Sequence, residues 1–167
     1  MDGRRRATIP LVLHNTYDGQ ACSIARTLEI IGERWTLLIL RDAFLGVRRF
    51  DDFQRSLGIA RNVLNVRLQR LVEAGLLERR RYQERPQRFE YRLTAMGLDL
   101  WPALVALMRF GDRHLACGDE PPMRVEHRDC GGEVSQRVSC ASCGAELGAR
   151  DVRVLSGRHE PAAAAAG

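Results

Sequence analysis

The chain contains no lysine: all 26 of its basic residues are arginine. It also lacks any apolar run near the roughly 20 residues that a membrane-spanning helix needs. The apolar stretch Ile9 to Leu13, which follows Arg4, Arg5 and Arg6, is too short for the core of a signal peptide. These two absences point to a cytoplasmic protein with no membrane partner. Familiar catalytic signatures are missing as well. There is no phosphate-binding G-x-x-x-x-G-K-[ST], no G-x-S-x-G, no H-E-x-x-H and no dinucleotide G-x-G-x-x-G. The expectation is a protein that binds rather than one that turns over a substrate.

What is present is a moderate basic excess, with a formal net charge of +5 and a pI near 9.3 over 167 residues. That length allows one core domain and a small appendage. Arginine suits phosphate and guanine because its planar fork donates two parallel hydrogen bonds. A basic excess of this size is compatible with nucleic acid without requiring it. The five cysteines are Cys22, Cys117, Cys130, Cys140 and Cys143. In a reducing compartment they are free thiols or metal ligands rather than structural disulfides.

Residues 1–21 show no sustained period and read as a flexible basic arm. From Cys22 the apolar spacing becomes helical. Ile24, Leu28 and Ile31 recur at helical intervals up to Gly32, and "ERWTLLILRDAFLG" carries Trp35, Leu38, Ile39 and Phe44 as a second helix. "RRFDDFQRSLG" predicts a short third helix through Phe50, Phe53 and Leu57, and a fourth runs from about Ala60 to Glu73. Helices separated by a tight glycine turn follow helix-turn-helix grammar. The next stretch, "LLERRRYQERPQRFEYRL", reads as two strands around a proline turn, a hairpin placed where a wing would sit. A last helix, with Thr94 as N-cap, carries Met96, Leu100, Leu104, Leu107 and Phe110 and ends near Cys117, with Pro102 kinking it or marking its true start. The expected class is therefore mainly α (α+β), a winged helix-turn-helix over 22–118 with a long dimerisation helix. A small zinc-ribbon-like flap over 119–157 and a disordered tail over 158–167 complete the chain.

The fourth helix divides into two faces. Leu64, Leu68 and Leu71 share one and should pack inward. The other shows Asn62, Asn65, Val66 and Gln69, with Arg61 and Arg70 at its edges. Amide side chains pair with adenine and arginine with guanine, so this face has the residue types of a base-reading helix. A solvated helix face has the same composition, and the hairpin decides between the two. Arg79, Arg80, Arg81, Arg85 and Arg88 crowd around its turn, where they can reach phosphates or a minor groove beside the helix.

The linked segments "GERWTLLILRDAF", "RRFDDFQRSLGIARNVLNVRLQRLVEAGLLER" and "PQRFEYRLTAMG", opened by Cys22, resemble the HxlR-type family of bacterial winged-helix regulators over about residues 22–118. The resemblance implies a homodimer whose first and last helices form the interface, with two wings flanking a palindromic operator. It also implies that a cysteine at the Cys22 position senses electrophiles or oxidants in some relatives. A small residue packed at the dimer interface is the other reading of Cys22. One departure is Ala60, where such proteins often open the recognition helix with Ser or Thr, so a side-chain cap is lost.

The C-terminal segment holds His127-x2-Cys130 and Cys140-x2-Cys143, four residues of the types that make a tetrahedral, structural zinc site. Cys117 is an alternative fourth ligand, and a flap of reduced thiols is the metal-free alternative. The combined expectation is a sequence-specific, double-stranded-DNA-binding transcriptional regulator acting as a homodimer, under the control of a small-molecule effector or of redox state. A zinc-containing protein-interaction module on a winged-helix scaffold is the alternative.

Overall fold

A computed structural model describes Tyr17, residues 22–115 and residues 121–155. Nearly all of the expected N-terminal arm, the alternative ligand Cys117 and the expected tail over 158–167 lie outside the described residues. The chain divides into two compact units, Met1–Leu107 and Met108–Gly167.

The first unit opens with α1 (Ser23–Ile31), α2 (Thr36–Phe44), α3 (Phe50–Leu57) and α4 (Arg61–Glu73). The hairpin β1 (Leu77–Gln83) and β2 (Arg88–Leu93) follows, then α5 (Ala95–Leu98) and α6 (Trp101–His114), the last of which runs on into the second unit. Ile39, Leu40, Phe53, Leu64 and Leu68 are fully buried at the centre of the core, joined by Leu71, Leu77 and Tyr91. Each such side chain contributes about 1.5–3 kcal/mol by leaving water. The inward face of α4 is thus Leu64, Leu68 and Leu71, as its spacing predicts. Among the described residues Asp42 is the buried charge, held by the Arg41 guanidinium at 2.7 Å.

The helix starts differ from expectation in instructive ways. α2 begins at Thr36 rather than Glu33, because Trp35 sits in the left-handed region at φ 79°. That conformation costs a bulky residue about 1–3 kcal/mol, and the indole packed against the core holds it there. α4 begins at Arg61 with Ala60 as N-cap, and no side chain caps it. The stretch expected as one long helix from Thr94 is two. Thr94 Oγ1 accepts the Gly97 N–H at 3.1 Å and caps α5, while Pro102 lies in the first turn of α6, where its missing N–H leaves no hydrogen bond unmade. Gly97 lies so close to the α4–β1 turn that a Cβ would sit 2.2 Å from the Leu76 carbonyl oxygen.

β1 and β2 pair antiparallel from Leu77–Leu93 to Gln83–Arg88, with an irregularity between Arg81 and Gln83. The segment before α3 also joins β2. Arg49 bridges Glu90, and the Tyr91 N–H donates to the Arg48 carbonyl at 2.7 Å. This edge anchors the wing to the helices, and the sequence reading did not include it.

In the second unit, Met108–His114 belongs to α6 and residues 121–155 form short hydrogen-bonded turns closed by the single bridges Glu126–Glu133 and Ser139–Glu146. Arg109 on α6 pairs with Glu133 at 2.6 Å. No residue described between 121 and 155 is buried.

Candidate nucleic-acid interface

An open cleft of about 1020 Å³ lies between α3, the start of α4 and the hairpin. Five arginines line it, Arg49, Arg55, Arg61, Arg79 and Arg88, against the two carboxylates Asp51 and Asp52. The aspartates are where a helix wants them, in the first turn of α3, where negative charge meets the free N–H groups of the helix start. The balance of the lining remains positive. Asn62 and Asn65 present their amides to the same space.

Three of the cleft arginines lie over aromatic rings. Arg79 lies 3.6 Å from the centre of the Phe89 ring, Arg61 4.7 Å from Phe50 and Arg49 4.8 Å from Tyr82. Stacking of this kind limits the rotamers of a long side chain and leaves its in-plane N–H donors free. Arg61 also reaches Asp51 at 3.3 Å. Arg79 and Tyr82 both line the cleft although strict strand alternation would send them to opposite faces. The irregularity between Arg81 and Gln83 supplies the extra step that brings both round to one side.

The eleven residues read from the sequence as DNA-facing are therefore sorted by the fold. Arg61, Asn62, Asn65, Arg79 and Arg88 come together in the cleft. Val66 is exposed on α4 outside it, and Gln69 donates to Glu73 at 2.9 Å. Arg70 turns toward α1, donating to the Glu29 carbonyl at 3.0 Å. Arg80 pairs with Glu78 at 2.7 Å and Arg81 with Glu84 at 3.3 Å, while Arg85 is exposed on the turn between the strands. Arg49, Arg55, Tyr82 and Gln87 line the cleft and were not read from the sequence. The pair Arg48-Arg49 just before α3 was the available signal; its proximity to the wing was not, because it depends on the bridge to Glu90.

Cys22 is the N-cap of α1 and is exposed. The N–H of Ala25, then that of Ile24, and the charge of Arg26 hold its thiol below the ordinary value, against a smaller upward push from desolvation. Of the residues read as metal ligands, His127 Nδ1 lies 3.2 Å from Cys130 Sγ. The N–H groups of Cys143 and Ser142 point at Cys140 and hold its thiol below the usual range. Among the described residues, no three of these side chains are gathered at a spacing that would hold an ion.

A helix that offers amides and arginine, a basic cleft beside it and an antiparallel hairpin closing that cleft define a winged helix-turn-helix protein that binds DNA. The comparison with known sequences carries this to a family. Residues 30–119 match the HxlR-like helix-turn-helix family, and the chain belongs to it. An HTH-type transcriptional regulator of Mycobacterium tuberculosis, Rv3095, is 50% identical over 115 residues, which cover 69% of this chain and 72% of the relative. Among solved structures, PA1607, described as a candidate transcription factor, superposes with a TM-score of 0.76 at 41% identity, covering 83% of this chain and 97% of its own. The redox regulator HypR, in its reduced form, superposes with a TM-score of 0.52 at 28% identity, covering 56% of this chain and 96% of its own. The chain is thus an HTH-type transcriptional regulator, a class that acts by binding. No helix among the described residues is long and apolar enough to cross a membrane.

Proposed function

We propose that the protein binds a palindromic DNA operator as a homodimer in the cytoplasm, with α4 in a major groove and the hairpin against the adjacent backbone. The observation that carries this reading is the cleft. Its arginines converge on one surface with Asn62 and Asn65, so phosphate-holding and base-reading groups share one footprint. Arg49, Arg79 and Arg88 hold phosphates, and the two asparagines with Arg61 read base edges. Arg55 adds to the positive field.

Dimerisation is supported by apolar side chains left uncovered on α1, α5 and α6. Ile24 is 70% exposed, Met96 51% and Leu107 53%. Large apolar groups left in water on α1, α5 and α6 favour an association surface. Beside them, a groove of about 380 Å³ runs along Ser23, Thr27, Ile30, Met96 and Leu100. A small apolar effector fits there in size. Cys22 adjoins the same helix, and its lowered thiol, with the 28% identity to a redox regulator, supports control by oxidation at this end of the molecule. Either event would act by favouring one dimer geometry over another.

The test is binding to duplexes from the gene's own upstream region, against scrambled duplexes, across a salt series. Selective binding with a steeply negative salt slope, by a species of twice the chain mass in light scattering, is the expected result. Weak binding with no preference for the native duplex would overturn it.

A further inference from the structure

The two halves of the C-terminal segment are copies of one another. An offset of 13 residues carries His127 onto Cys140, Cys130 onto Cys143, Gly131 onto Gly144 and Glu133 onto Glu146. The backbone repeats with the sequence. Gly131 N–H donates to the His127 carbonyl at 2.8 Å, and Gly144 N–H to the Cys140 carbonyl at 2.8 Å. His127 N–H donates to Gly132 at 2.7 Å, and Cys140 N–H to Ala145 at 2.9 Å. Val134 reaches back to Val125 as Leu147 reaches back to Val138. Gly131 and Gly144 take φ of 68° and 73°, a left-handed turn that a side chain would resist. Each half is therefore the same tight knuckle, with its two metal-binding side chains on one turn.

The chemistry of the four side chains favours zinc. Three thiols and one imidazole are the donor types of a closed, tetrahedral zinc site, which leaves no position open for substrate. In the first knuckle the ligating atom is already turned inward, with His127 Nδ1 3.2 Å from Cys130 Sγ. The opposite ring nitrogen, Nε2, faces Asp129 Oδ2 at 3.6 Å. The ring thus turns its Nδ1 edge to the cysteine and its outer edge to a carboxylate, the arrangement common around a zinc-bound histidine. The segment also needs such a link. It repeats a defined turn twice, yet none of its described side chains is buried, so hydrophobic packing does not hold the two knuckles together. The similarity to PA1607 extends into this part of the chain, because 83% coverage requires residues beyond 119.

We propose that the two knuckles close on a single structural zinc ion held by His127 Nδ1 and the sulfurs of Cys130, Cys140 and Cys143. The four donors are two preformed pairs, and the ion draws the pairs together. Each cysteine gives up its thiol proton as it binds, so zinc uptake releases protons to the buffer.

The experiment uses the full chain, purified under reducing conditions, freed of metal and reloaded with zinc alone or cobalt(II) alone. The expected result is one zinc per chain, and a cobalt form with the intense red-visible bands of a tetrahedral ion and the near-ultraviolet charge-transfer band of thiolate ligation. Asp129→Asn should weaken zinc by about tenfold while leaving the cobalt spectrum tetrahedral. Cys143→Ser should lose stoichiometric zinc, and Arg153→Ala should keep it. Substoichiometric uptake by the reloaded wild-type chain, a cobalt spectrum without the charge-transfer band, or half an ion per chain would each overturn the single-chain site. All of these readouts are independent of DNA binding.

Discussion

Replacing Arg88 with alanine removes one of the five guanidinium groups that line the cleft between α4 and the hairpin. In a dimer on a two-fold operator it removes two. If Arg49, Arg79 and Arg88 each neutralise one phosphate, the wild-type complex makes six such contacts, and log K should fall against log salt with a slope of about −5.4. The variant loses two contacts, and its slope should be shallower by about 1.8. The deficit relative to wild type should then shrink by about 12-fold between roughly 50 and 200 mM salt, because the lost contacts are those that salt would have screened. Fluorescence anisotropy on one labelled duplex over four salt concentrations measures both slopes. Arg153→Ala is the control, since it removes the same charge from an exposed position in the C-terminal segment. If Arg88→Ala and Arg153→Ala give the same slope, only net charge matters and the cleft is not where the phosphates lie.

Asn65→Ala should leave the salt slope unchanged and reduce discrimination between native and mismatched duplexes by about 1–3 kcal/mol, as read by competition binding. Phe53→Ala empties a fully buried site in the core and should lower stability by about 3–5 kcal/mol in urea unfolding. Gly97→Ala forces a methyl group against the Leu76 carbonyl and should lower the Tm, with the shift read by circular dichroism. Because the thiol of Cys22 is held below the ordinary value, its thiolate form is already populated at a pH where a free cysteine remains protonated. Alkylation of Cys22 should therefore rise with pH and level off earlier than that of a model thiol, and this fast phase should vanish in Cys22→Ala.

Much of this architecture was legible in the sequence, for reasons that differ by element. α4 was readable because Leu64, Leu68 and Leu71 recur at helical spacing and are the residues the core buries. The hairpin was readable because a proline turn separates two short runs that carry Tyr82, Phe89 and Tyr91. The start of α2 was not, since nothing local announces that Trp35 leaves the right-handed region. Its conformation is set by where the indole packs. Leu38 shares the apolar run of this helix with Ile39, yet it is 40% exposed while Ile39 is fully buried. The site was half legible. Asn62, Asn65, Arg79 and Arg88 follow from position along α4 and the wing, whereas Arg49 and Tyr82 reach the cleft through a bridge to Glu90 and a break in strand alternation. Both are tertiary effects that leave no periodic trace.

The positive wall of the cleft is made from arginine alone. A guanidinium keeps its proton at every pH a cell reaches, and methylation leaves its charge in place. Acetylation, which silences lysine, has no side-chain amine to attack anywhere in this chain. Enzymes that tune other DNA-binding surfaces by neutralising their lysines therefore have no purchase here. The affinity of this surface rests on how its arginines are spaced and aimed.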